Sequence, residues 1–372
     1  MKTLIIGAGI SGIATSIALA RTGHEVSLIE RSEEISALGS GITLIGPALR
    51  ALDQLGVLQD CEQQGYPITE FEQRTPAGEV VSSFTMPSVT GEGGPGMMGM
   101  TRPDLHKILV KHAEDLGVRI RTGAAAERIE HRESSVLVFI HGATDPEEYD
   151  LIVGADGLNS WTRGEVLGEF EPVLHEQAIY RVVLDRPADL TKEVQFVGHS
   201  SVMVGFTPTG DNSMYMYCLV PAKGVQRPPQ EDWPVTVRDY LEPFGGVIAE
   251  LRDEITDPDR INFTRFRTIL VPKPWSTGRA VLVGEAAHCT TPHLAAGASM
   301  CLEDAVVLAE ELLAHEDVTD ALHAYTERRF DRCKYVVETS AQLSRWGVYP
   351  EATGEQVQDL IQQALGTLAG PA

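Results

Sequence analysis

Short apolar runs that stop at glycine-containing turns stand near both ends of the chain. Residues 3–6 (TLII) form one such run, which leads directly into Gly7, Gly9 and Gly12. Residues 280–283 (AVLV) repeat the pattern and lead into the turn GEAAH at 284–288. A short apolar run bounded by turn signals predicts a buried strand of a parallel sheet. The chain therefore has strands of the same kind near its beginning and its end.

The first turn has the spacing of a dinucleotide-binding site. Gly7 permits a tight turn, Gly9 lets the backbone approach a pyrophosphate, and Gly12 allows the next helix to pack closely on the strand. We predict that helix at about residues 10–21, with its free N–H groups pointing at the phosphates. A second strand at 24–29 ends at Glu30, where a carboxylate can accept hydrogen bonds from a ribose. The alternative, a glycine-rich turn without a ligand, is disfavoured by the flanking strand and helix.

The apolar residues 4–20 also resemble the core of a signal peptide. The three glycines and the acid at the end of the second strand argue against that interpretation, and no later stretch reaches the roughly 18 apolar residues of a membrane span. We therefore expect a cytoplasmic protein without a membrane span.

The composition of the chain limits the kinds of ligand and partner that it is expected to bind. The 372 residues have a formal net charge of −23 and no dense basic run, which argues against a nucleic-acid partner. The five cysteines are scattered, with neither zinc-site spacing nor a disulfide framework, so we expect reduced thiols and no metal site.

The pattern of apolar and polar residues in the middle of the chain differs from that at its two ends. Residues 69–74 and 79–84 are typical of two strands, and residues 165–267 alternate between apolar and polar positions with little helical periodicity. These segments predict a second domain built on an antiparallel sheet. Its Met and Tyr side chains more often belong to a core than to a ligand pocket.

Two further features lie where open α/β sheets bind ligands. An apolar strand delivers Asp156 and Gly157 at its carboxyl end, although a plain surface turn explains this pair as well. The loop after 284–288 opens a helix at Gly297 and Ala298, whose N–H groups and positive end suit an electron-rich ring system such as reduced flavin.

Taken in chain order, these motifs make the sequence resemble the group A flavoprotein monooxygenases, the single-component aromatic hydroxylases related to p-hydroxybenzoate and salicylate hydroxylases. The matching motifs are the Gly7–Gly12 turn with Glu30, Arg102 before a helix, Asp156-Gly157, and the Gly284 turn followed by Pro292. Two positions depart from the family pattern: Glu285 stands where the family usually has Asp, and Ala296 stands where a Gln often precedes the glycine.

The resemblance implies an α/β fold: a Rossmann-like FAD-binding domain of the glutathione-reductase type with an inserted antiparallel β-sheet substrate domain. The FAD-binding domain would comprise residues 1–70, 100–164 and 268–372. The substrate domain would comprise residues 71–99 and 165–267.

The resemblance also implies the residues that contact FAD. They are Gly7, Gly9 and Gly12 in the first turn, Ile10, Ser11 and Asp156 at the pyrophosphate, Glu30 at the adenosine ribose, Arg31 and Ala126 at the adenine, Arg102 and Glu285 at the central and ribityl region, and Gly297 and Ala298 at the isoalloxazine, with Pro292 above the ring.

The implied activity is hydroxylation of a small aromatic or heteroaromatic substrate, with FAD as cofactor, NAD(P)H as a transient co-substrate and O₂ added at flavin C4a as a hydroperoxide. His293 follows Pro292 and is a candidate base, although a structural loop histidine fits equally. Arg181 and Tyr217 are candidates for holding an anionic or phenolic substrate. A same-fold epoxidase, oxidative decarboxylase or oxidoreductase, and a flavin-binding redox sensor, remain alternatives. The sequence leaves open whether the protein is a monomer or a homodimer.

Overall fold

The computed structural model describes residues 1–35, 39–91, 94–198 and 201–372. The strands are numbered in chain order: Lys2–Ile6 (β1), Glu25–Ile29 (β2), Gly41–Ile45 (β3), Tyr66–Ile68 (β4), Glu70–Arg74 (β5), Val80–Thr85 (β6), Met97–Thr101 (β7), Arg119–Arg121 (β8), Ala126–His131 (β9), Val136–Ile140 (β10), Glu147–Tyr149 (β11), Leu151–Gly154 (β12), Val173–Asp185 (β13), Glu193–Phe196 (β14), Met203–Pro208 (β15), Ser213–Pro221 (β16), Ile261–Leu270 (β17), Ser276–Thr277 (β18), Ala280–Leu282 (β19) and His288–Cys289 (β20).

The α-helices are Ile10–Arg21 (α1), Gly46–Gln54 (α2), Leu58–Gln64 (α3), Arg102–Asp115 (α4), Trp161–Leu167 (α5), Trp233–Leu241 (α6), Val247–Arg252 (α7), Gly297–Ala314 (α8), Val318–Val348 (α9) and Gly354–Ala369 (α10). Two short 3-10 turns, Gly284–Ala286 and Pro292–Leu294, separate β19 from α8. None of the helices in the described ranges is both long and apolar enough to cross a membrane.

A six-stranded sheet holds the two ends of the chain together. Its strand order is β18-β19-β12-β1-β2-β8, and β12 lies between β1 and β19, parallel to both. The apolar strands predicted at 3–6 and 280–283 are thus confirmed as members of one sheet. Because parallel strands end at the same edge, the turns that follow β1, β12 and β19 are brought to one edge of this sheet.

An eight-stranded sheet lies beside it, with strand order β20-β17-β13-β16-β15-β14-β5-β6. The antiparallel prediction holds for most pairs but is wrong for β14, which runs parallel to β5. The hairpin β5–β6 comes from an earlier part of the chain, so no tight turn links it to β14 and fixes an antiparallel register.

The two faces of the eight-stranded sheet differ in what they contact. One face packs its apolar residues against α6 and α7. These helices were not predicted, because nine and six residues are too few to establish a clear helical period within an alternating region. On β13, the opposite face presents Ile179 and Arg181 by strand alternation.

A small sheet of order β3-β7-β4 joins the two larger ones. A Cβ added at Gly99 of β7 would lie 1.9 Å from the carbonyl oxygen of Pro208 at the end of β15. A Cβ at Gly41 of β3 would lie 1.8 Å from a ring carbon of Tyr215 on β16. Only residues without a side chain fit at these two contacts, so the small sheet lies directly against the eight-stranded one.

Candidate active site

The turns from the two ends of the chain are in direct contact. Gly7 has φ +108°, and a Cβ there would lie 2.6 Å from the carbonyl oxygen of Ala155, just after β12. Gly284 has φ +59°, and a Cβ there would lie 2.4 Å from the hydroxyl oxygen of Ser11. Both glycines are therefore required by conformation and by space.

The side chain of Arg163 also connects two of these turns. The buried guanidinium of Arg163 donates to the carbonyl oxygens of Leu158, at 2.9 Å, and Ala286, at 3.0 Å. It thus connects the turn after β12 with the turn after β19. Sequence reasoning missed Arg163, since nothing in its local pattern distinguishes it from a surface arginine.

The start of α1 has the features of a phosphate site. A Cβ added at Gly9 would meet nothing within 4 Å, whereas one at Gly12 would lie 1.9 Å from the carbonyl oxygen of Gly7. Gly9 caps α1 without any side-chain hydrogen bond, and the buried hydroxyl of Ser11 has no partner within the described ranges. Open space, free helical N–H groups and an unpaired hydroxyl fit the pyrophosphate of FAD.

Glu30 is held at the end of β2 in a fixed orientation. Its carboxylate accepts hydrogen bonds from the backbone N–H of Ala8, at 2.9 Å, and of Ser32, at 3.0 Å. Burial opposes ionisation, but the hydrogen bonds from Ala8 and Ser32, together with the charge of Arg31, lower the pKa of Glu30. The group is therefore an ionised acceptor beside the first turn, as ribose binding requires.

The other residues predicted to contact FAD are dispersed around this edge. Arg31 is exposed, and Ala126 is the first residue of β9. The carboxylate of Asp156 accepts hydrogen bonds from the N–H and the hydroxyl of Thr162, at 2.9 and 3.0 Å, and from Ser160. These bonds fix the start of α5.

The C-terminal side of the site is formed by the turn after β19. Glu285 is exposed in the 3-10 turn, next to buried Gly284. Gly297 and Ala298 are the first residues of α8 and are half-buried, and Ala296 provides no side-chain cap. The N–H groups at this helix start are therefore available to a ligand.

Two arginines lie close enough to influence each other. Arg102 is the first residue of α4, and its side chain packs against Gly39, whereas Arg181 lies on β13. Burial, and then the charge of Arg102, lowers the pKa of Arg181 to about 10. Neither guanidinium has a hydrogen bond or ion pair to any residue that the structure describes. Two neighbouring cations without a carboxylate partner attract an anion.

Tyr217 lies next to Arg181 on the same sheet face. The two residues are register partners on β16 and β13. Ile179, Leu219 and Phe266 form a small apolar cluster on this face, against which Tyr217 packs. The structure thus brings together the two residues that the sequence proposed for substrate.

Pro292 and His293 lie at one end of this face. The imidazole of His293 meets the ring of Phe266 edge-on at 5.6 Å, and its Nδ1 is 3.0 Å from the hydroxyl of Thr291. Its Nε2 is buried and has no partner among the described residues. Burial, assisted by His175, lowers the pKa of His293 to about 3. A neutral imidazole with so low a pKa is a poor proton acceptor near neutral pH.

A buried charged network supports the turn after β19 from behind. Asp304 of α8 accepts from the N–H of Gly284 at 2.8 Å, from Nε2 of His288 at 2.7 Å and from Nε of Arg329 at 2.8 Å. Burial alone would raise the pKa of Asp304, but the charges of His288 and Arg329 hold it at about 2. His288 and Asp304 also lie near Cys333, yet the adjacent Arg329 cation disfavours a metal ion there. In the sequence, the feature that could have indicated this network is Asp304, an acidic residue within the apolar pattern of α8.

Comparisons with known proteins agree with this geometry. A family described as FAD binding domain matches residues 1–340. The 3-hydroxybenzoate 6-hydroxylase 1 of Aquipseudomonas alcaligenes is 31% identical over 354 residues, which cover 92% of this chain and 88% of that protein.

Solved structures extend the comparison to three dimensions. Klebsiella pneumoniae HpxO, complexed with FAD and uric acid, aligns with a TM-score of 0.89 and 23% identity over 100% of this chain and 97% of HpxO, which shows a shared fold. The tetrameric form of 2-methyl-3-hydroxypyridine-5-carboxylic acid oxygenase aligns with a TM-score of 0.76 and 25% identity over 98% of this chain and 97% of that one.

Proposed function

The chain belongs to the FAD binding domain family and is an FAD-dependent monooxygenase of the aromatic hydroxylase type, and we propose that it uses NAD(P)H and O₂ to hydroxylate a small anionic aromatic or heteroaromatic compound. The observation that carries the proposal is the contact between Gly284 and Ser11, which combines two distant turns into one site with open space at Gly9.

We assign the fold to the glutathione-reductase type of Rossmann-like domain, with the eight-stranded sheet as the substrate domain. The six-stranded sheet, which is parallel except for its edge strand β18, and the three-stranded sheet of order β11-β10-β9 support the first assignment. The domain boundaries are those given by the sequence: 1–70, 100–164 and 268–372 for FAD, and 71–99 and 165–267 for substrate.

The residues of the first sheet would hold FAD as follows. The open start of α1 takes the pyrophosphate, the fixed carboxylate of Glu30 takes the adenosine ribose, and Glu285 takes the ribityl hydroxyls. The free N–H groups at the start of α8 face the ring. When bound, FAD supplies electron transfer from NAD(P)H and activation of O₂.

The substrate would lie between the ring of FAD and the face of the eight-stranded sheet. Arg181 supplies a cation without a competing carboxylate, and Tyr217 supplies an adjacent phenol. Pro292 closes the chamber from the side of α8. Two relatives named for 3-hydroxybenzoate and for a pyridinecarboxylic acid support an aromatic carboxylate, which the arginine matches in charge.

A panel of matched aromatic acids and amides tests the proposal. The holoenzyme is incubated with NADH or NADPH and each hydroxybenzoate, pyridinecarboxylate or corresponding carboxamide, and NAD(P)H consumption is measured together with hydrogen peroxide. We expect at least one acid to accelerate consumption, with one atom of ¹⁸O₂ appearing in the product and little peroxide.

Other outcomes would separate the alternatives. Accelerated consumption with peroxide alone, or without oxygen in the product, would indicate an oxidoreductase. Flavin binding without any stimulation by the panel would contradict the hydroxylase proposal and favour the sensor. Oxygen insertion into an alkene or loss of CO₂ would identify the epoxidase or the decarboxylase.

A further inference from the structure

A carboxylic acid is buried inside the eight-stranded sheet without an ionic partner. Glu193, the first residue of β14, is 3% exposed. Its Oε1 accepts a hydrogen bond from the hydroxyl of Tyr217 at 3.1 Å, and its Oε2 has no hydrogen-bond partner in the described ranges. No described Lys, Arg or His forms an ion pair with it. A carboxyl group in such surroundings changes its protonation state more easily than one fixed by a cation.

The backbone is shaped to allow this contact. Tyr217 and Glu193 lie on β16 and β14, with β15 between them. Gly205 of β15 pairs with Tyr217, and a Cβ at Gly205 would lie 2.1 Å from the Tyr217 hydroxyl oxygen. Because glycine has no side chain, the phenol crosses the strand and reaches the carboxyl group. Any larger residue at Gly205 would separate the pair.

Tyr217 also connects this buried acid with the substrate side of the sheet. It is half-buried, whereas Glu193 is buried, and its neighbour across the ladder is Arg181. The phenol therefore lies beside both Arg181 and the buried carboxyl group, on the face of the sheet that all three share. A proton that leaves the chamber by this route must pass through the Tyr217 hydroxyl.

We propose that Tyr217 and Glu193 form a proton-transfer pair that removes the proton from the hydroxyl or ring N–H of the substrate. The inference rests on the proposed function. The substrate O–H or N–H bond breaks and its proton bonds to Oη of Tyr217, while the original phenol proton bonds to Oε1 of Glu193. The step involves no oxidation or reduction. The substrate becomes an anion beside Arg181, and Glu193 becomes a neutral acid that returns its proton after turnover.

Proton affinity supports this direction of transfer. Burial raises the pKa of Glu193 to about 8, although the nearby hydroxyl groups of Thr207 and Tyr217 act in the opposite sense. A base is most effective when its pKa lies near the working pH. His293, the base suggested by the sequence, has a pKa lowered to about 3 by burial and by His175, and is a much weaker acceptor.

The titratable groups around Glu193 are few. From β16 these are Tyr217 and Tyr215, and burial together with Glu193 raises the pKa of both phenols. From β13, the charge of Arg181 acts on Tyr215 in the opposite sense. The adjacent strand β5 contributes Glu72, which is paired with Arg74 and Lys192 and points to the other face by strand alternation. Glu193 is thus the group among them that ionises near pH 8.

The pH dependence of kcat/KM provides the test, using the holoenzyme and the best aromatic acid from the panel. In the wild-type protein we expect kcat/KM to rise about tenfold per pH unit below pH 8 and then level off, because the carboxylate is the active form. Glu193→Gln and Tyr217→Phe should each remove this limb and lower kcat/KM at pH 8 by about 100-fold. The double variant should be no slower than either single variant, since one pathway is broken in all three.

A matched control and a binding measurement make the test specific. Tyr180→Phe makes the same chemical change on the opposite face of the sheet, in the apolar cluster beneath α6, and should keep the wild-type pH profile. Binding of p-nitrophenol, followed by the absorbance of its phenolate, should show ionisation on binding in the wild-type protein and markedly less in Glu193→Gln.

The experiments distinguish failure of the proton-transfer proposal from failure of the proposed function. An unchanged pH limb in Glu193→Gln, or equal ionisation of bound p-nitrophenol in both proteins, would overturn the proton-transfer pair while leaving the hydroxylase proposal intact. Absence of any stimulating aromatic would instead contradict the proposed function. Retained flavin absorbance in each variant shows that the site has folded.

Discussion

The hydroxyl of Ser11 and the α-carbon of Gly284 lie so close that no side chain fits between them: a Cβ on Gly284 would stand 2.4 Å from Ser11 Oγ. This contact joins the helix that begins the chain's first βαβ unit to a turn more than 270 residues later. In the proposed function, neither turn forms a complete FAD site by itself.

Gly284→Ala should disturb this contact directly. The residue has φ +59°, which an alanine adopts only with strain, and the new methyl group would collide with Ser11. We expect the apo-protein to lose about 1–3 kcal/mol in free energy of unfolding, and flavin content to fall. Urea unfolding of the apo-protein and the ratio of flavin to protein absorbance measure both effects. An unchanged urea midpoint would show that the turns can separate without penalty.

Gly9→Ala should give the opposite combination. A Cβ at Gly9 meets no protein atom within 4 Å, so the apo-protein should unfold at the same urea concentration as the wild type. The methyl group would enter the space assigned to the pyrophosphate, and FAD affinity should drop by about tenfold or more. Flavin fluorescence quenching measures this. Gly366→Ala, also in open space but within α10, is the control and should bind FAD normally. If Gly9→Ala bound FAD as tightly as the wild type, the phosphates of FAD would not bind at Gly9.

Arg181→Met should separate acids from amides. Loss of a charge-assisted hydrogen bond in a buried site costs about 1.5–3 kcal/mol, so KM for an aromatic carboxylate should rise roughly 10- to 100-fold. KM for the corresponding carboxamide should change little, which makes the amide an internal control. Steady-state kinetics with both substrates decides the point, and an equal rise for the two would mean that Arg181 does not contact the carboxylate.

Ionisation of Glu193 should also change the free energy of unfolding, which can be measured without a substrate. Its pKa is raised from 4.5 to about 8 by burial, so the native state binds more protons than the unfolded state between these pH values. The free energy of unfolding therefore falls as pH rises from about 4.5, and the accumulated loss is roughly 3–5 kcal/mol above pH 8.

Glu193→Gln cannot ionise and should escape that loss. We expect the variant to gain stability relative to the wild type as the pH is raised from 5 to 8.5, measured by urea unfolding of the apo-proteins across that range. Parallel curves for the two proteins would show that Glu193 titrates normally.

Asp304→Asn should weaken the support behind the turn after β19. The change removes a charge that compensates His288 and Arg329 in a fully buried place, and breaking such a group costs about 3–5 kcal/mol. Flavin retention should fall too, because Asp304 holds the N–H of Gly284. Asp331→Asn, an exposed aspartate on α9, is the control for urea unfolding and flavin content. Stability equal to that of the control would assign the network no role in the fold.

Features encoded in short stretches of sequence were predictable. The helix predicted at 10–21 is confirmed as α1, and the two apolar runs are strands of one sheet. Each depends on a glycine, an acid or an apolar run within a few residues of the element it defines. The family resemblance is confirmed as well, since the FAD binding domain family matches residues 1–340.

Features that depend on neighbours across strands were not predictable. Glu193 and Tyr217 are 24 residues apart and meet only because Gly205 lies between them in the sheet. The parallel pairing of β5 with β14 likewise depends on tertiary packing. A sequence shows the residue types but not which strands become neighbours, and so the roles of the individual site residues stay predictions.

The position of β19 in the central sheet also determines the order of events during synthesis. The βαβ unit leaves the ribosome first, yet β12 lacks its outer parallel neighbour until residues 280–282 have been translated. The turn that contacts Ser11 follows immediately afterwards. The edge of β12 and the turn around Ser11 therefore acquire their C-terminal neighbours only after about three quarters of the chain has been synthesised.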